Sequence, residues 1–184
     1  MKIFTGILVM SLMLVSCKKK GDKVTNYFKV NNTTYELSNG ILENYGTDAE
    51  SYDGYNLDLS LITDGISVSA SDVWSGSGKA IYFEMYTTSS TYLSSGEYDY
   101  DNTTSPSPTF SFDLSFYVLD LVFPGTGTPV QIISGTVTVV KDGNTYDITL
   151  SDGENNSGDA ITAHYKGTLT YFDESRKKSD KTRF

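Results

Sequence analysis

From Tyr27 onward the apolar residues of this chain recur at every second position, the spacing of a strand with two unlike faces. In YNLDLSLI, Tyr55, Leu57, Leu59 and Leu61 share one face, and Asn56, Asp58 and Ser60 the other. In IYFEMYT, Ile81, Phe83 and Met85 oppose Tyr82, Glu84 and Tyr86. In FSFDLSF, Phe110, Phe112, Leu114 and Phe116 alternate with Ser111, Asp113 and Ser115. AITAHYKGTLTYF directs Ile161, Ala163, Tyr165, Leu169 and Tyr171 inward. No stretch of the body shows a competing helical period, so the expected domain is all-β.

Strands are expected near 27–30, 33–37, 41–46, 55–63, 80–87, 96–100, 110–122, 132–141, 145–151 and 160–172. The pairs Asn39 and Gly40, Asp64 and Gly65, and Asp152 and Gly153 mark turns between them. Lys141, Asp142, Gly143 and Asn144 separate two β-branched runs, as in a hairpin. The expected architecture is an antiparallel two-layer β-sandwich, with a closed calycin-like β-barrel as the alternative. Around 116–123 the apolar parity slips, which suits a bulge or a strand that bends between sheets. One domain is expected over 27–173, with a short tether at 18–26 and a charged mobile tail at 174–184.

Charge is distributed unevenly. Residues 23–173 contain five basic side chains against twenty acidic ones, a net charge of −15. Apart from Lys2, the remaining lysines and arginines gather at 18–20 and 176–183. A body this acidic repels phosphate backbones, which argues against nucleic acid as a partner.

The chain's one cysteine, Cys17, follows an apolar run over 7–15 and precedes Lys18, Lys19 and Lys20. That run is far shorter than the ~20 residues that span a bilayer, so residues 1–17 read as a signal peptide. Leu14, Val15, Ser16 and Cys17 resemble the lipobox of bacterial lipoproteins. The resemblance implies a lipidated Cys17, hence a membrane anchor, and Lys18 after the cysteine implies outer-membrane delivery on the periplasmic face. YFKVNNTTYELSNGILENYG, YNLDLSL, IYFEMYTTSSTYLSSGEYDYD, SGTVTVVKDGNTYDITL and YKGTLTYF are similar to small outer-membrane lipoproteins of Bacteroidetes. This resemblance implies a compartment and an all-β fold, and it supplies no catalytic residues.

No catalytic constellation stands out, and the chain is not read as an enzyme. His164 is the only histidine and shares a polar face with Thr162, Lys166 and Thr168. Glu84 with Asp58 or Asp99 would make an acid pair only if they converge across a cleft. The loops TDAESYDGYN and SDGENNSGD have the oxygen-rich composition that calcium takes, with Asp152, Glu154, Asn156 and Asp159 as candidate ligands. The chain carries 14 Tyr and 9 Phe, and this surplus points instead to recognition. Tyr82, Glu84 and Tyr86 on one strand face, joined by Trp74 in a Gly/Ser loop, are the candidate contacts for a glycan or peptide. Tyr98 and Tyr100 are candidate neighbours on that face. The expected function is a non-catalytic binding domain held at the membrane. An accessory subunit of an outer-membrane complex and a barrel carrying a small apolar ligand are the alternatives.

Overall fold

The computed structural model describes residues 25–175, and these residues contain no helix. Cys17, its flanking lysines and the segment 176–184 lie outside the described residues. Twelve strands follow in chain order: β1 (Tyr27–Val30), β2 (Thr33–Glu36), β3 (Asn39–Asp48), β4 (Tyr52–Ile62), β5 (Ile66–Val68) and β6 (Trp74–Thr87), then β7 (Gly96–Tyr100), β8 (Ser111–Val122), β9 (Val130–Asp142), β10 (Thr145–Asn155), β11 (Ala160–Gly167) and β12 (Leu169–Asp173).

The strands form one sheet in the order β12-β3-β4-β6-β8-β7-β9-β10-β11-β1-β2, curled into a half-barrel, with β5 paired to β6 as a short flap. The sheet is mixed, which corrects the purely antiparallel expectation. β12 runs parallel to β3, with Thr170 opposite Ile41 and Phe172 opposite Glu43. β7 runs parallel to β8 through Asp99 and Ser111. Neither parallel pair is joined by a hairpin. The link after Tyr100 lets β8 return in the same direction, and the single strand expected at 160–172 breaks at Gly167 and Thr168. Its first part pairs with β10 and β1, and its second part crosses to β3.

The expected parity slip is present, and it is a pair of bulges. Phe83 faces Ser115 and Met85 faces Phe112, so Asp113 and Leu114 stand against Glu84 alone. A second extra residue lies between Gly78 and Ala80, where Leu119 and Asp120 stand against Lys79. Each bulge bends β8 and exchanges its faces. Phe112 and Tyr117 therefore point into the half-barrel, while Phe116 and Val118 point out of it.

Inside the curl, Leu57, Leu59 and Leu61 of β4 and Ile81, Phe83 and Met85 of β6 meet Ile148, Leu150, Ile161 and Phe28 from the far strands. Phe83 is fully buried and sits edge-on to Phe112, with ring centroids 5.7 Å apart. The outer face of β3, β4, β6 and β8 carries a second apolar cluster. It contains Ile41, Ile62, Tyr82, Phe116 and Val118, capped at one end by Ile66 of the β5 flap and Trp74 at the start of β6. That flap can fold flat because Gly76 has a φ of +92°, and a Cβ there would lie 2.0 Å from the Gly65 carbonyl oxygen.

Phe83→Ala is expected to cost about 3–5 kcal/mol of folding free energy, measured by urea unfolding, because it opens a cavity in the inner core.

Candidate functional site

Three carboxylates meet in register on the outer face. Glu43 of β3 stands opposite Asp58 of β4, and Asp58 opposite Glu84 of β6. Directly opposed residues place their Cβ atoms about 4.5–5.5 Å apart. Glu43 and Asp58 are only 2 % and 4 % exposed, and Glu84 is half-buried. The Tyr82 hydroxyl donates to Asp58 Oδ2, and Asn56 Nδ2 donates to Asp58 Oδ1 at 3.1 Å. Burial first, then the neighbouring Glu84 and Glu43, hold the Asp58 carboxyl well above the ordinary range, against the pull of those two hydrogen bonds. Burial and the nearby acids also push the Tyr82 phenol up.

Aromatic rings close over this row. Tyr82 stacks on Phe116 with centroids 4.6 Å apart, and Tyr86 stacks on Tyr52 at 5.1 Å. The Tyr86 hydroxyl donates to Asp113 Oδ2 at 2.9 Å. The link between β7 and β8 covers the Tyr52 end, where Asp53 and Ser107 exchange main-chain bonds with Ser107 and Ser51. Burial first, then the neighbouring Asp48, pushes the Tyr52 phenol up to about 12.

The structure thus brings Tyr82, Glu84 and Tyr86 onto one face, with Trp74 at its end, but it does not leave them open to solvent. Tyr82 and Tyr86 are 5 % and 3 % exposed, so the expectation of solvent-facing aromatic contacts is corrected. The reason is tertiary: the β5 flap and the loop before β8 fold over a face whose alternation reads as polar. Trp74 is likewise buried, donating from Nε1 to Asp72 and tilting over Phe123. Tyr98 belongs to the inner core, with its hydroxyl donating to the Ser94 carbonyl and paired with the Thr87 hydroxyl at 3.0 Å. Tyr100 packs against that same core. Glu43, Asn56 and Ser60 complete the row and were missed, because which strands are neighbours is not written in any one strand.

The other candidates lie apart. Asp99 is exposed and accepts a bond from Thr136, away from Asp58 and Glu84. His164 is half-buried on β11 and bridges the Thr25 carbonyl and Asp147. Lys166 first, then His164, pulls the Asp147 carboxyl down. Asp152, Glu154 and Asn156 are exposed around the bulged end of β10. Asp159 accepts amide bonds on both oxygens, from Asn31 and Asn155. That loop is organised by Asn155, whose side-chain oxygen accepts from the backbone N–H groups of Ser157 and Asp159. Among the described residues no three His, Cys, Asp or Glu side chains are grouped to hold a metal ion.

An open cleft lies elsewhere, at one end of the half-barrel. It has a volume of about 390 Å³ and is walled by Tyr92, Lys141, Asn144, Tyr146 and Tyr171 over a floor of Leu42 and Leu169. Tyr92 and Tyr171 are 42 % and 36 % exposed. The Lys141 ammonium lies 5.0 Å from the Tyr92 ring centroid and 5.8 Å from that of Tyr146. Tyr171 donates from its hydroxyl to the Ser90 carbonyl at 2.9 Å, tying β12 to the loop that carries Tyr92. Lys141 and Asn144 belong to the β9–β10 turn read from the sequence. Nothing in that turn signals its proximity to Tyr92 and Tyr171.

Comparison of the chain with protein-family models, with curated proteins and with solved structures found no match.

The raised Asp58 carboxyl sets a pH dependence of stability. The unfolded chain releases this proton near the ordinary value of 3.8, while the folded chain holds it to higher pH. Stability should therefore fall as pH rises from about 4 toward the folded-state value. Asp58→Asn should remove that part of the slope, matching the parent near pH 4 and exceeding it at pH 8 in urea unfolding. An unchanged slope would contradict a proton held at Asp58.

Proposed function

We propose that this chain is a membrane-anchored lipoprotein whose half-barrel is a non-catalytic binding module for a glycan or peptide. In this reading Cys17 carries the lipid, the protein sits at the periplasmic face of the outer membrane, and the ligand occupies the cleft at the barrel end. The observation that carries the binding site is the pair of exposed rings, Tyr92 and Tyr171, in one cleft with the Lys141 ammonium, which lies over the Tyr92 ring. Rigid amphipathic rings give stacking area for a sugar face or a peptide side chain, and Lys141 and Asn144 give donors for hydroxyls, carbonyls or a carboxylate.

Of the two shapes weighed from the sequence, the barrel-like one suits this reading, since the cleft is then the mouth of a curled sheet. The interior below it is filled by Phe28, Phe83, Phe112 and Tyr98, which favours a ligand at the mouth over an apolar cargo inside. An accessory role toward a protein partner has a separate observation behind it. Val73 and Val122 are exposed beside a shallow depression of about 310 Å³ lined by Trp74, Phe123 and Pro124.

A glycan array and an extended-peptide library, probed with the Cys17→Ser chain, should yield a binder. Tyr92→Ala and Tyr171→Ala should each weaken it by about 1–2 kcal/mol, roughly tenfold, while changing stability by less than about 1 kcal/mol. Binding that is indifferent to both substitutions and to Lys141→Ala would remove the cleft from the account.

A further inference from the structure

We propose that the sugar taken by the cleft at the barrel end carries a single carboxylate, as a uronic or sialic acid residue does, with Lys141 as its ionic partner. This rests on the reading of that cleft as a glycan site. The cleft differs from the rest of the body in its charge. Residues 23–173 hold twenty acidic and five basic side chains. Among the described residues that wall the cleft there is one lysine, Lys141, and no carboxylate. Asp142 is the acid nearest to Lys141 in sequence, but it is exposed, and alternation along β9 sets it on the opposite face.

Lys141 is also held in place. Its ammonium lies over the rings of Tyr92 and Tyr146 and donates to the Gly143 carbonyl. Its main-chain amide donates to Ser95 Oγ at 3.0 Å, which ties the end of β9 to the loop before β7. A lysine head is ordinarily mobile and strongly hydrated, and ordering it on binding costs free energy. Here the rings and the carbonyl order it before a ligand arrives, and its half-buried position removes part of its water. An ammonium has three N–H donors, of which the Gly143 carbonyl takes one. A carboxylate is the ligand group that gains most from the others, because both partners of that bond are charged.

The rest of the wall suits a sugar. Thr91, Asn144 and Thr168 are exposed, and their hydroxyl and amide groups both donate and accept, as sugar hydroxyls do. Tyr171 commits its hydroxyl to the Ser90 carbonyl and leaves an exposed ring for the apolar face of a pyranose. Leu42 in the floor is 1 % exposed, so little apolar surface is left there for a peptide side chain. The acidic surroundings limit the ligand to one charge. At physiological salt, charges are screened beyond about 8 Å, so a lone carboxylate in the cleft meets Lys141 first. A polyanion would extend past the cleft and be repelled by the body.

The test is titration calorimetry of the Cys17→Ser chain with matched glycans. The probes are 3′-sialyllactose and cellobiouronic acid, each beside its methyl ester, and trigalacturonate as the polyanion. At least one of the two acids should bind, about tenfold more tightly than its ester in low salt. That difference should shrink with added salt, vanish in Lys141→Gln and persist in Lys141→Arg. Should Lys141→Gln fail to fold, the salt dependence in the parent carries the test, and a difference indifferent to salt would contradict the ion pair. Acid and ester binding equally would overturn the proposal and leave the cleft as a site for neutral glycans. Binding of neither acid would overturn it as well, and the absence of any cleft-dependent binder on the array and in the peptide library would remove the site itself. Tighter binding of trigalacturonate than of both acids would overturn the single charge. A peptide whose affinity depends on a free C-terminal carboxylate and on Lys141 would overturn the sugar.

Discussion

The pairing of β12 with β3 is the contact on which the rest of this molecule depends. β3 would otherwise be the sheet's exposed edge, with its main-chain groups open on one side. Five residues of β12 lie parallel along it, from Leu169 opposite Gly40 to Asp173 opposite Asn44. The glycine makes room for this approach, since a Cβ at Gly40 would sit 2.4 Å from Leu169 Cδ2. The two ends of the strand order are thereby linked twice by short pieces of chain: β11 runs on into β12, and β2 into β3. Leu37, buried in the second link, donates to the Asn26 carbonyl, and Ser38 donates to that of Ile62.

Two features of the structure follow from that pairing. The cleft takes Leu169 and Tyr171 from β12 and Leu42 from β3, so the strand that seals the edge also builds one wall of the mouth. The carboxylate row begins at Glu43, whose neighbour on β12 is Phe172. Burying three acids side by side is costly for the folded state. Protonation at the centre, on Asp58, lowers that cost.

Local pattern made much of the fold legible. Strand periodicity located ten of the twelve strands, including β8 with its change of parity, because alternation is a property of a few adjacent residues. It did not reveal β5, three residues long, or the break that separates β12 from β11. It also misread the outer face. Asn56, Asp58, Ser60, Tyr82, Glu84 and Tyr86 are polar or amphipathic in sequence, and alternation alone sets them toward water. The β5 flap and the Ser107 loop cover that face, and this is decided by contacts distant in sequence. The cleft was hidden for the same reason. Tyr92, Lys141 and Tyr171 come from three separate segments, and only the curl of the sheet brings them together.

Amide hydrogen exchange across β12 tests the closure most directly. If β12 is a full member of the sheet, the amides of Thr170 to Phe172 that face β3 should exchange slowly, with opening free energies near those of β4. The amides of β3 that face β12 should be equally protected. Loop-like exchange throughout β12, with β4 still protected, would contradict the account. It would leave β3 as an open edge and the cleft without one wall.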